Sequence, residues 1–378
     1  MLFALSMSLC ATGGCKQGPW SLWESYSSRF IDAQGRVIDP QGDARTTSEG
    51  QAYAMFFALA DGDRPMFDRL LMWTQDNLAQ GDLATHLPAW LWGKRPDGSW
   101  KTIDPNPASD ADVWMAYTLV QAGRLWKNPA YTSMGRGMMA LIARNEVANL
   151  PGFGLMLLPG AAGFQHGTQW TLNPSYEPLF LFEGLAAADP SGPWGQIATN
   201  IPRFLSQSSV HGWAMDWVGY QPDRGFYPAS VQVTGNKQPA APGGSYDAIR
   251  VYLWAGMINP ADQARAPILN ALPAMGVYLS NHDAPPDNVN DQGIPSGKDG
   301  PVGFSAAVLP YLRALPNLSK ASAAQSARMT AQRDQSTGLY GKDFAYYDQN
   351  LVLFATGFID GRFSFGRRGE LKVGWERR

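Results

Sequence analysis

Apolar residues recur at i, i+3, i+4 and i+7 along twelve stretches of the chain, the period of a helix with one face against a core. The pattern predicts helices over residues 20–30, 49–60, 64–78, 110–126, 131–147, 174–188, 193–206, 246–257, 260–280, 304–314, 319–333 and 344–358. Start signals sharpen several of them: Ser48 before Glu49, Ser109 before Asp110, and Pro174 in a first turn. Strand-like runs are few and short, at 212–217 and 362–371. Residues 91–107, 150–174, 210–245 and 281–302 read as long loops between the helices. A dozen helices with long loops after alternate ones suggest an all-α fold of helical hairpins set in a ring. The inner helices would hold the core, and the loops at one end would line a cleft; an irregular helical domain is the alternative.

Gly and Pro, 40 and 28 residues, punctuate the whole chain rather than pooling into a linker, so residues 20–378 read as one domain. Composition then narrows the ligand. Charged residues are 16% of the chain and aromatics 12%, with 14 Trp, a formal charge of −2 and no Lys/Arg cluster. That argues against nucleic acid, whose phosphates demand a basic face. A neutral, hydroxyl-rich ligand suits Trp and Tyr, which offer flat apolar faces with a polar edge, although for any single Trp a place in the core is the ordinary expectation.

Cysteine is confined to Cys10 and Cys15, so the body of the chain holds no disulfide framework and no thiol nucleophile. Residues 2–11 are an apolar run followed by Thr12, Gly13 and Gly14, shaped like a signal-peptide core that lacks its basic leading region and too short to span a bilayer. Lipidation of Cys15 is a weaker reading, because Thr12 stands where a Leu is expected. An export segment at 1–19 and a soluble periplasmic or secreted protein, not integral to a membrane, are expected.

Three acids stand where a polar loop turns into an apolar helix. Glu49 lies in TTSEGQAYAMF, where Gly50, Ala52 and Ala54 leave open space on one face. A Glu at a helix start ordinarily serves the helix dipole, and alone it would carry no more than that. Asp110 and Asp112 lie in SDADVWMAYTLV; capping needs one of them, and Asp112 falls near the apolar stripe of Ala116 and Leu119, where a carboxyl requires a partner. Asp247 in GGSYDAIRVYLWAG repeats the design, with Arg250 one turn on as a salt-bridge partner. If inner helices share an orientation, the three acids converge. Such a set can cleave a glycosidic bond, which needs one protonated carboxyl for the leaving oxygen and a second carboxylate. His86, His166, His211 and His282 show no metal-ligand spacing, and neither a nucleophile elbow nor a phosphate loop is present, so no metal or cofactor is expected.

At these residues the chain resembles glycoside hydrolase family 8, and within it the branch encoded beside bacterial cellulose synthase. The resemblance runs through GRVIDP, TTSEGQAYAMF, WTQDNLA, LPAWLWGK, ASDADVWMA, MLLPG, NPSY, SYDAIRVY, GPVGFSAA, RFSF and GEL, in that order. It implies an (α/α)6 toroid and an inverting endo-1,4-β-glucanase. It further implies Glu49 as general acid, Asp247 as general base, and Asp110 in a positioning and electrostatic role, since an inverting enzyme has no covalent nucleophile. Trp90, Trp92, Tyr176 and Tyr246 are candidate sugar platforms, and Asp112 and Arg250 are placed with the substrate-binding residues. The implied partners are a β-1,4-glucan chain and, functionally, a cellulose synthase complex, for a protein expected to be a monomer. Preference for chitosan, xylan or mixed-linkage glucan stays open, as does a weakly catalytic glucan-binding accessory. The loop 210–244 is long for the family, which bears on subsite number.

Overall fold

A computed structural model describes residues 18–232 and 241–377. The N-terminal apolar run and Cys10 and Cys15 lie outside the described residues. In chain order the helices are α1 (Ser21–Phe30), α2 (Ser48–Asp61), α3 (Arg64–Leu78), α4 (Ser109–Leu125), α5 (Pro129–Asn145), α6 (Leu179–Ala188), α7 (Trp194–Ser208), α8 (Ala248–Met257), α9 (Arg265–Asn270), α10 (Pro273–Leu279), α11 (Val302–Ala314), α12 (Ser319–Ala331) and α13 (Tyr346–Ile359).

Two kinds of helix alternate. In α2, α4, α8 and α11 nearly every residue is buried, polar first turns included. In α3, α5 and α7 only one stripe is buried, such as Phe67, Leu70, Leu71 and Thr74 of α3. A helix apolar all round belongs inside, and one with a single stripe packs over it. The inner helices close a ring. α2 packs on α4, α4 on α6, α8 on α11, and α11 on α13. Phe180 of α6 meets Trp254 of α8 edge-on. Phe354 of α13 lies 4.9, 5.6 and 4.6 Å from the rings of Tyr53, Phe56 and Phe57 of α2. Trp114 and Trp254 meet Phe354 at 5.1 and 5.0 Å, so the centre of the ring is an aromatic plug. The outer layer is α1, α3, α5, α7, α9 with α10, and α12. This is the ring of helical hairpins that the helix pattern suggests, and the (α/α)6 toroid that the family resemblance implies.

The connections explain why one end carries the chemistry. Links from an inner helix to the next outer one are short, such as 62–63 and 126–128, whereas links from outer to inner are long: 79–108, 146–178, 209–247 and 280–301. All the long links arrive at inner-helix N-termini, so they gather at one end, with three acids among the residues they deliver.

Three differences from the periodicity have local causes. The stretch 260–280 is two helices, because Pro273 lacks an N–H and forces Leu272 out of the helical region. Residues 174–188 begin as a single 3-10 turn, Pro174–Tyr176, and restart after Pro178. The run 212–217 forms no strand beyond an isolated bridge between Val210 and Trp213, while 362–371 belongs to the hairpin of Phe363–Phe365 with Leu371–Val373. The segments read as loops hold further strands. Ala89–Lys94 pairs with Trp100–Pro107, and Gln165–His166, Gln169–Leu172, Val218–Gln221 and Gly225–Pro228 form a four-stranded sheet. The first hairpin had a signal, Asp97-Gly98, with Gly98 at φ +83 in its turn.

Candidate active site

The start of α2 is capped by Thr47, whose hydroxyl accepts the Gly50 N–H at 3.2 Å; Ser48 is buried and does not cap. This leaves Glu49 free of capping duty. The space beside Gly50 is not open: a Cβ there would collide with the Tyr346 hydroxyl, so the small residue admits a neighbouring ring. α4, in contrast, has no side-chain cap, and Asp110 accepts the Ala111 N–H at 2.8 Å with one oxygen. Asp247 is itself the N-cap residue of α8 and makes no capping bond.

These three acids meet on one guanidinium. Arg250 Nη1 donates to Glu49 Oε2, to Asp110 Oδ2 at 3.0 Å and to the Tyr53 hydroxyl at 2.9 Å. Its Nη2 donates to Asp247 Oδ1 at 2.6 Å and to Ser175 Oγ at 2.9 Å. Arg250 is only 1% exposed, whereas the side chains of Glu49 and Asp247 are 21% and 27% exposed. The cation therefore lies beneath the carboxyls and has no surface for a sugar, contrary to its placing among substrate contacts. Three carboxyls on one cation would carry surplus negative charge with little solvent. Burial pushes the Glu49 carboxyl up to about 7, with Arg250 opposing and the charges of Asp110 and Asp247 adding to the rise. Burial also raises Asp110, against the pull of Arg250.

Asp112 has no exposed surface and cannot touch a ligand; it lies against Glu146 at the C-terminal end of α5. Burial, reinforced by Glu146, lifts Asp112 well above the usual carboxylate range, and Glu146 is raised to about 8.

Beside the acids, a cavity of about 530 Å³ is lined by Trp90, Tyr176, Phe164 and Trp217 among others. Phe164 and Trp217 are parallel within 3°, and Tyr176 stands over the Arg250 guanidinium at 5.5 Å, joining the cavity to the acids. Trp92 does not line this cavity. Arg36 covers its ring at 4.5 Å, Trp73 meets its edge and Trp100 lies 5.4 Å away. Tyr246 is 54% exposed and leans on Phe304 and Tyr347. Phe164 lay in a stretch read as a loop, Trp217 at the end of the strand-like run 212–217, Ser175 in the NPSY motif at the start of an expected helix, and Tyr53 inside an apolar run, and none of them was singled out for the site. Among the described residues, no group of three His, Cys, Asp or Glu side chains is disposed to hold a metal ion, and no helix is long and apolar enough to cross a membrane.

A helical toroid with paired acids at one end, beside a groove walled by aromatic rings, defines a carbohydrate-cleaving enzyme. The comparison with known proteins gives the family: the profile of glycosyl hydrolases family 8 matches residues 2–360, and the chain belongs to that family of glycoside hydrolases. It is 42% identical to an endoglucanase of Xanthomonas axonopodis pv. citri (strain 306) over 97% of this chain and 92% of that one. It is 44% identical to an endoglucanase of Escherichia coli (strain K12) over 94% and 91%. Among solved structures, the endo-1,4-D-glucanase of Vibrio fischeri ES114 superposes with a TM-score of 0.81 at 36% identity, covering 94% of this chain and 99% of the other.

Proposed function

We propose that the chain is a cellulase, an endo-1,4-β-glucanase that cuts internal bonds of β-1,4-glucan with inversion. The observation that carries this reading is the single guanidinium of Arg250 holding Glu49, Asp110 and Asp247 beside an aromatic-walled groove. Glu49, raised to about 7, retains a proton near neutral pH and donates it to the leaving glycosidic oxygen. Asp247 spends one oxygen on Arg250 and has the other for a water, whose proton it takes as the water oxygen bonds to the anomeric carbon from the opposite side. The bond from that carbon to the leaving oxygen breaks at the same time. Asp110, nearly buried, grips the sugar at the point of cleavage. Glu49 and Asp247 occupy different nitrogens of one fork, which suits an inverting pair, whose carboxyls stand roughly 6.5–9.5 Å apart to admit the water. The endoglucanases of Xanthomonas and Escherichia coli support the substrate class. The apolar run at 2–11 and the resemblance to the branch encoded beside cellulose synthase support export and service to cellulose production.

Carboxymethylcellulose, chitosan and xylan assayed side by side test the substrate. Rapid loss of viscosity with few new reducing ends on the first, and little release from the others, is expected. Early proton NMR of the product should show the inverted anomer. Retention would overturn Asp247 as base, and preference for chitosan or xylan would overturn the glucanase reading.

A further inference from the structure

Asp216 precedes Trp217 of the groove wall and belongs to none of the motifs described above, yet it is built into the start of α8. Its Oδ1 accepts three backbone N–H groups: Ser245 at 2.8 Å, Asp247 at 3.1 Å and Ala248 at 2.7 Å. Its own N–H donates to the Gly243 carbonyl at 2.7 Å. The segment it holds is pinned from the other side as well, because Gly243–Gly244 pairs with Val289–Asn290 and the Ser245 hydroxyl donates to the Asp287 carbonyl at 2.6 Å.

An Asp in the N-cap position ordinarily turns its carboxylate onto the amides two or three residues on. Asp247 does not. Those amides are already taken, Ile249 N–H by the Ser245 carbonyl and Arg250 N–H by the Asp247 carbonyl, each at 3.0 Å. The amides of Asp247 and Ala248 are taken by Asp216. No amide at the start of α8 is left to draw the Asp247 carboxylate back onto its own helix, and it reaches Arg250 instead.

We propose that Asp216 is a positioning residue for the reaction: it caps α8 in place of Asp247, so that the Asp247 carboxylate stays on Arg250 and faces the cleft. The inference rests on the reading of Asp247 as general base. It concerns a hydrogen-bond acceptor, so an amide oxygen at the same place does most of the work. Burial, and secondarily the charge of Asp247, raise the Asp216 carboxyl to about 7, so it does not depend on full ionisation at neutral pH.

The test compares Asp216→Asn, Asp216→Ser and Asp216→Ala in the full chain, with folding checked by circular dichroism and kinetics on a soluble cellooligosaccharide. Misplacing a reacting group by an ångström costs on the order of 10²-fold, so Ala should lower kcat by about that factor while KM moves by less than about threefold. Asn, keeping the acceptor, should stay within about fivefold of the native kcat, and Ser, reaching fewer amides, should fall between. Native kcat in folded Asp216→Ala overturns the proposal, as does the absence of grading between folded Asn and Ser variants. Folded Asp216→Asn as inactive as Asp247→Asn overturns it too, since the proton of Asp216 would then be at work. If Asp247→Asn is itself active, the base assignment fails; if it is inactive while Asp216→Ala is active, only the positioning role fails.

Discussion

Asp110 and Asp112 stand two residues apart in the first turn of α4, and the fold treats them in opposite ways. Two residues on a helix are about 200° apart around its axis, so when one faces the cleft the other faces the outer layer. Asp110 meets Arg250 at 3.0 Å and joins two acids that keep a share of solvent. Asp112 meets Glu146, and among the described residues no salt bridge and no donor outside the pair reaches either carboxyl. Burial answers each case differently. Beside a guanidinium, Glu49 is raised to about 7; without one, burial lifts Asp112 well above its usual range and Glu146 to about 8, so that pair holds a proton. Acidity in a motif is therefore not yet chemistry. What faces the carboxyl decides.

Removing the cation makes the first cluster like the second. Arg250→Met removes the cation from beneath three acids. Turnover should be lost by more than ~10³-fold and the unfolding free energy should drop by about 3–5 kcal/mol, because uncompensated carboxyls remain. Urea unfolding and carboxymethylcellulose kinetics measure both, and retained turnover would mean the acids do not need their shared partner. Arg250→Lys should rescue little, since one ammonium cannot reproduce the fork. Next comes Glu49→Gln, which keeps shape and binding but has no proton to give; a loss of roughly 10²–10⁴-fold in kcat is expected, with cellooligosaccharide affinity by calorimetry nearly unchanged. In the native protein, kcat/KM should fall as pH rises through about 7, as the Glu49 proton is lost. A profile flat to pH 9 would defeat Glu49 as acid.

A smaller effect sharpens the other side. Glu146 is raised from its usual 4.5 to about 8, so the folded chain binds its proton more tightly than the unfolded one. Its contribution to stability is then complete below about 4.5 and disappears as pH climbs through about 8. Glu146→Gln, neutral at every pH, should flatten that decline in a series of urea unfolding curves while changing kcat by less than about threefold. A mutant with the same pH slope as the native protein would show that the pair carries no bound proton.

The helices were legible because their signal is long: in α2 and α4 a long run rich in apolar residues after a start signal at Ser48 or Ser109 locates them within a residue or two. The strands were not, since Gln165–His166 and Gly225–Pro228 are too short to alternate and gain their order from the sheet they join. The acids were legible as three loop-to-helix junctions. Their convergence was not, for it depends on long links all arriving at one end. Arg250 could be paired with Asp247 by spacing, but Glu49 and Asp110 lie 201 and 140 residues from it. Asp216 gave no sign at all, because its work is to accept backbone amides that any sequence supplies.

A second pair of residues spaced by two lies on a strand. Trp90 and Trp92 in Ala89–Lys94 should share a face, since side chains alternate along a strand. The pairing with Trp100–Pro107 is irregular on both sides of Leu91, however, and the two rings have different neighbours. Trp90 belongs to the wall of the groove. Trp92 is held between Arg36, Trp73 and Trp100, so its faces are already in use. Trp90→Ala should therefore raise KM for cellooligosaccharides roughly two- to tenfold, the equivalent of one ring stack of ~0.5–1.5 kcal/mol, with kcat and stability little changed. Trp92→Ala should do the reverse, lowering stability by about 1–2 kcal/mol through lost ring and cation contacts and leaving KM near native. Steady-state kinetics and urea unfolding of the two variants decide it. Equal rises in KM would mean that Trp92 also meets the glucan, and that the groove continues past the Arg36 contact.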